Sequence, residues 1–191
     1  MARDTSRRDE VAEAATDYVL EHGLVGLSLR PMAADLGTSD RMLLYHFASK
    51  DDLVATVLRV SNDRSVAEIR AMPAAPDVRT AVLDLWAAVT SPRLDRCQRM
   101  YVEAAALGLF GHEPYAGVVR EANGLWVAAV ADHLVASGVP RSLGPRASAL
   151  VDAAFMGFQL DLPLDAGDPV LAQAVDDLAD AVVAIAAQGS A

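Results

Sequence analysis

Between Thr38 and Lys50 the chain gathers side chains that can meet a nucleic acid. Arg41 offers a guanidinium that can fork onto guanine O6 and N7. Asp40 can accept from a cytosine amino group or cap a helix. Thr38 and Met42 complete the base-edge candidates. His46 and Lys50 are candidates for phosphate contacts, with Tyr45 beside them. Ser28, Arg30 and Ser39 complete the DNA-contact set. The chemistry of this stretch is recognition. The chain has no Gly-rich phosphate loop, no G-x-S-x-G, no His/Cys metal spacing and no placed carboxylate pair. The four histidines (22, 46, 112, 133) are scattered. An enzyme is therefore not expected, and neither is a cofactor or a metal.

Positioning these side chains takes two short helices and a tight turn. Ser28 is placed to cap the first, because its hydroxyl can accept from an early helical N–H. Pro31 falls in the first turn, where its missing N–H costs nothing. Met32, Ala33 and Leu36 have helical spacing, and Gly37 can take the left-handed conformation that ends a helix. Ser39 is a second cap, with Met42, Leu43, Leu44 and Phe47 behind it. Two short helices across a Gly-containing turn read as a helix-turn-helix, whose second helix enters the major groove. Ser49 is a third cap, with Lys50 at the start of a long helix.

These residues carry a family resemblance. The stretch Leu29–Ser39, then Leu44-Tyr45-His46-Phe47, then Ser49-Lys50-Asp51-Asp52-Leu53, resembles the DNA-binding domain of TetR-family transcriptional regulators. The resemblance covers about the first sixty residues. It implies an all-α chain, with a three-helix N-terminal DNA-binding domain joined by helix 4 to a larger helical ligand-binding and dimerisation domain. It implies a double-stranded DNA operator as partner. One position departs from the pattern. The family's phosphate-contacting tyrosine lies three residues before the Phe of Phe-x-x-Lys. That position is Leu44 here, with Tyr45 next door, so the carry-over favours His46 and Lys50.

Composition agrees with a folded regulator. The chain has 191 residues, 53% of them hydrophobic and 22% charged, enough for a small domain and a larger one. No apolar run is long enough to span a membrane. The N-terminus has no apolar signal region. One cysteine, Cys97, excludes an intramolecular disulfide. A cytoplasmic protein is the expectation. The net charge of −10 is unusual for a DNA binder. Residues 1–50 carry six basic side chains against eight acids, and residues 51–191 carry ten against eighteen. Arg3, Arg7 and Arg8 precede the expected first helix, in a tail that either follows the phosphate backbone or is merely solvated.

Helix 1 is expected from Arg8 to His22, with Val11, Ala14, Ala15, Tyr18 and Val19 inward and Gly23 as its stop. Helix 4 is expected from Asp51 to about Met72. The break at Met72–Asp77, with two prolines, would let that helix pivot as the only link between domains 1–50 and 51–191. The second domain reads as helical throughout: 77–90, 94–110, 115–137, 145–160, and a last helix capped by Asp168.

Two faces of that domain stand out. Leu171, Val175, Leu178, Val182 and Ile185 form a heptad-like seam on the last helix. Leu150, Ala154 and Gly157 on the preceding helix permit close approach. Together they are the candidate homodimer interface, which the family resemblance favours; the pattern alone also allows a core within the chain. The other face is aromatic and Met-rich: Trp86, Met100, Tyr101, Phe110, Trp126 and Phe155. Glu103, His133 and Gln159 supply polar handles. Such a lining suits a small hydrophobic ligand. Asp161, Asp165 and Asp168 lack the spacing of a calcium loop. The reading is a homodimeric, ligand-responsive regulator, chiefly a repressor of a pseudo-palindromic operator. The alternative is a dimeric helix-turn-helix protein controlled by a protein partner.

Overall fold

The computed structural model describes residues 2–161, 163 and 169–190, with side chains described between residues 7 and 189. Among them are nine α-helices, a closing 3-10 turn at Gln188–Ser190, and no strand. The helices are α1 (Ala2–His22), α2 (Leu29–Asp35), α3 (Asp40–His46), α4 (Lys50–Ala71) and α5 (Val78–Val89). Then come α6 (Pro92–Leu109), α7 (Tyr115–Ala136), α8 (Gly144–Asp161) and α9 (Pro169–Ala187). None of the described helices is long and apolar enough to cross a membrane. Asp165 and Asp168 lie outside the described residues, so the expected Asp168 cap does too.

The helices form two compact units. One holds the chain through Ser65 together with Asp95–Asn123; the other holds Val66–Leu94 and the chain from Gly124 onward. The expected division at residue 50 is therefore not where the contacts divide. Helix α4 is also not the only covalent link, because the chain passes between the units three times. The reason is physical. Helices α2 and α3 have seven residues each and cannot enclose a core alone. Val19 of α1, Met32 of α2, Leu43 and Phe47 around α3, and Leu53 and Val57 of α4 are all essentially inaccessible. Met100 and Ala104 of α6 and Val118 of α7 close that core.

The arginine tail is not a tail. Helix α1 begins at Ala2, so Arg7 and Arg8 lie within it. Arg8 falls on the inner side with Ala12, Ala15 and Val19, at helical spacing. Arg64 of α4 clamps α1 from the other end, through Nη1 to Asp17 at 2.6 Å and through Nε to Glu13 at 3.0 Å.

In the second unit α9 packs against α5 and α8. Its seam residues Val175, Leu178, Val182 and Ile185 are buried there, Leu178, Val182 and Ile185 alongside Val82 and Leu85 of α5. Leu171 is half-buried. The heptad-like seam is thus this chain's own core, which corrects the expectation that it forms the dimer interface. A burial of this kind contributes about 1.5–3 kcal/mol per side chain. The Met72–Asp77 break exists, but it is pinned: the Ala75 N–H donates to the Ser137 hydroxyl at 3.0 Å, and Met72 and Ala75 pack on the core.

Candidate nucleic-acid interface

The turn between α2 and α3 is built by two local devices. Helix α2 ends in a Schellman motif, with Gly37 at φ 64°. The Thr38 N–H reaches the Ala33 carbonyl at 2.8 Å and the Gly37 N–H reaches Ala34 at 3.2 Å. The Ser39 hydroxyl then accepts from the Met42 N–H at 3.2 Å and starts α3. Ser28 holds the N-cap position of α2 with extended backbone, but its hydroxyl makes no capping bond.

Helix α3 is sharply two-sided. Leu43 and Phe47 at its end point into the core, while Asp40, Arg41, Met42, Leu44 and Tyr45 are exposed. Tyr45 is 69% exposed, and its ring meets the His46 ring edge-on at 5.3 Å. Thr38, Ser39 and Arg30 are exposed as well. The Asp40 carboxylate accepts from the Arg41 N–H at 2.9 Å, so it serves its own helix start. His46 is half-buried, and its carbonyl accepts from Arg8 Nε at 3.2 Å. Lys50 donates its ammonium to the Leu27 carbonyl. An ammonium has three donors, so the Leu27 bond leaves donors for a phosphate. The first turn of α4 also carries Asp51 and Asp52. The Asp52 carboxylate is occupied, accepting from the Ala48 N–H at 3.1 Å and lying 3.5 Å from Arg8.

The ligand candidates divide between the units. Trp86, Trp126, His133, Phe155 and Gln159 lie in the second. Trp86 packs on Phe155 at 5.1 Å and on Phe158 at 5.8 Å. Trp126 is buried. Burial pushes the Asp152 carboxyl above the usual range, against a smaller opposing pull from Trp126. His133 is buried, and its Nε2 has no partner. Burial holds its pKa below the ordinary value, against an opposing pull from Asp84. Gln159 donates to the Val89 carbonyl at 3.3 Å. Met100, Tyr101, Glu103 and Phe110 belong to the first unit. Met100 is core there, Glu103 is hydrogen-bonded to the α1–α2 connector, and Phe110 is 82% exposed. These three are corrected as lining residues.

No protein-family model matches the chain. It is similar to the HTH-type transcriptional regulator PksA of Bacillus subtilis, 31% identical over 64 residues. That match covers 34% of this chain and spans only 31% of the relative's length. Solved structures match at full length. A transcriptional regulator from Rhodococcus sp. Rha1 superposes with a TM-score of 0.70 at 22% identity, covering 95% of this chain and 96% of its own. A TetR-family regulator from Rhodococcus sp. gives 0.66 at 19% identity, over 95% and 97%. The multidrug binding protein EbrR, complexed with imidazole, gives 0.65 at 21%, over 92% and 94%. This is the TetR-family fold.

Within that fold, Leu44 and Tyr45 are both on the exposed side of α3, so the phenol at 45 reaches solvent from the neighbouring position. The TetR fold also explains what sequence reading missed. Arg8 and Glu103 fasten the head through contacts 38 or more residues apart in sequence. Only the spacing of Arg8 from Ala12, Ala15 and Val19 signalled that it faced inward.

Proposed function

We propose that the chain is a TetR-family transcriptional regulator that binds a pseudo-palindromic operator as a homodimer and releases it on binding a small hydrophobic molecule. The observation that carries this reading is α3. It buries Leu43 and leaves Arg41, Met42 and Tyr45 free to meet base edges and phosphates. A capped helix with one packed side and one polar, exposed side is what a major-groove reader requires. Repression is the simplest sign of regulation, since an occupied operator blocks transcription.

The dimer surface we propose is the outer side of α8 with the exposed residues of α9. Leu150, Ala153, Gly157 and Leu160 recur at helical spacing on α8 and are exposed. A Cβ added at Gly157 would meet nothing within 4 Å. Ala181 and Ala184 are exposed on α9. Small residues on two neighbouring helices allow a second copy to approach closely about a two-fold axis.

For the ligand, support comes from His133, whose Nε2 is buried without a partner, among the aromatic groups of the second unit. The EbrR neighbour, described as a multidrug binding protein, makes small-molecule control the leading reading. Control by a protein partner has its own observation: Leu109 and Phe110 are 87% and 82% exposed at the end of α6. Native mass spectrometry of the purified dimer, with operator release measured across a metabolite library, separates the two. A co-purified or releasing small molecule supports the first. Release only by a protein that needs Leu109 and Phe110 replaces it with the second.

A further inference from the structure

The loop between α1 and α2 is held by a side chain from far along the chain. Glu103 of α6 accepts two consecutive backbone N–H bonds through one oxygen, from Leu24 at 2.6 Å and Val25 at 2.8 Å. Carboxylate bonds to backbone amides are the strong kind. The residue before them, Gly23, has φ 83°, and a Cβ there would sit 3.0 Å from the other carboxylate oxygen. The site therefore needs the left-handed bend that Gly23 adopts, and a side chain there would crowd the carboxylate.

The clamp sits where α6 already enters the core. Met100 and Ala104, one turn either side of or beside Glu103, are buried with α2, α3 and α4 residues. Leu24 and Leu27 of the clamped loop are buried in the same core. Lys50 takes the Leu27 carbonyl from the opposite end of the loop. A displacement of the loop must therefore move side chains on which α2 and α3 rest.

We propose that Glu103 is a positioning residue for operator binding: by the reach of one carboxylate oxygen, α6 sets the pose of the α1–α2 loop and through it the pose of α3. This rests on the operator-binding reading above. It adds a route from α6 to the recognition helix that does not pass along α4. A shift of α6 that withdraws the oxygen would release two amides and loosen the head.

The test separates reach from charge. Glu103→Gln keeps an acceptor oxygen at the same distance. Glu103→Asp keeps the charge but pulls the oxygen back by one methylene. Glu103→Leu removes the acceptor. In the full chain, amide exchange at Leu24 and Val25 should stay slow in wild type and Gln and become fast in Asp and Leu. Operator affinity should stay within about threefold for Gln and fall about tenfold or more for Asp and Leu, the scale of lost charge-assisted bonds. A Gln variant as weak as Leu, or an Asp variant equal to wild type in both readouts, overturns the proposal. If Leu does not fold, the Gln and Asp pair still decides. If the wild type binds no operator at all, the function reading fails, while the exchange pattern still decides whether the clamp exists.

Discussion

Arg8 Nε donates to the carbonyl of His46 over 3.2 Å, tying the first helix to the end of α3. The same guanidinium lies 4.9 Å from the Phe47 ring centroid, 3.4 Å from the Thr56 hydroxyl and 3.5 Å from Asp52. A cation at the C-terminal end of a helix complements the partial charge there. Arg8 fastens α1 to α3 and α4, and its positive charge is engaged by the protein's own groups.

Arg8→Met keeps the apolar stem and removes these bonds. Because the side chain is 39% exposed, the expected loss is modest, about 1 kcal/mol, or roughly 2–4 °C in melting temperature. The salt dependence of DNA binding should not change. A flatter salt slope with an unaltered melting temperature would put Arg8 on the phosphates instead.

Arg41 and Lys50 should fail differently. Arg41→Ala should relax sequence preference, costing roughly 1–3 kcal/mol of discrimination at one base pair in each half-site. Lys50→Ala should weaken all sequences alike and lower the salt slope by about 0.9 per monomer. Competition titrations with matched and mismatched duplexes at several salt concentrations separate the two. The reverse pattern would mean that α3 does not enter the groove as proposed.

The periodicity of α9 was legible in the sequence; what covers it was not. Leu171, Val175, Leu178, Val182 and Ile185 repeat as a seam would, and a repeat reports a face without naming its partner. The partner is largely α5, from a stretch about a hundred residues earlier. Helix punctuation read more reliably, because Gly37, Ser39 and Ser49 act on neighbours three or four residues away. The same locality hid Glu103. Its partners lie 78 and 79 residues off, so composition made it resemble a polar handle in a pocket.

Two substitutions distinguish core from dimer surface. Leu178→Asp places a charge in the second unit's core and should unfold it, at about 4 kcal/mol or more. Gly157→Glu adds a side chain where there is open space and should raise helix stability by about 0.5–1 kcal/mol. Its effect should be on assembly: monomer by sedimentation, with unchanged circular dichroism. A Gly157→Glu protein that stays dimeric at low micromolar concentration moves the interface away from α8.

His133 predicts an acid sensitivity. Burial lowers its pKa from the ordinary 6.5, so the folded state holds the proton less tightly than the unfolded chain. Stability from this group should be intact above about pH 6.5 and should fall as pH drops through that value, levelling off below the depressed folded pKa. His133→Gln should flatten that part of the melting-temperature profile between pH 7.5 and 5. An identical slope in wild type and variant assigns the acid sensitivity to other groups.

Selection of bound duplexes from a random pool with the full chain tests the central claim most directly. The account predicts enrichment of a pseudo-palindrome whose half-site separation fits two α3 helices one helical turn of DNA apart or a multiple of it. It also predicts that Arg41→Ala selects a degenerate base at a symmetric pair of positions. Recovery of unenriched sequence, or of a motif without two-fold symmetry that Arg41→Ala leaves unchanged, would contradict it.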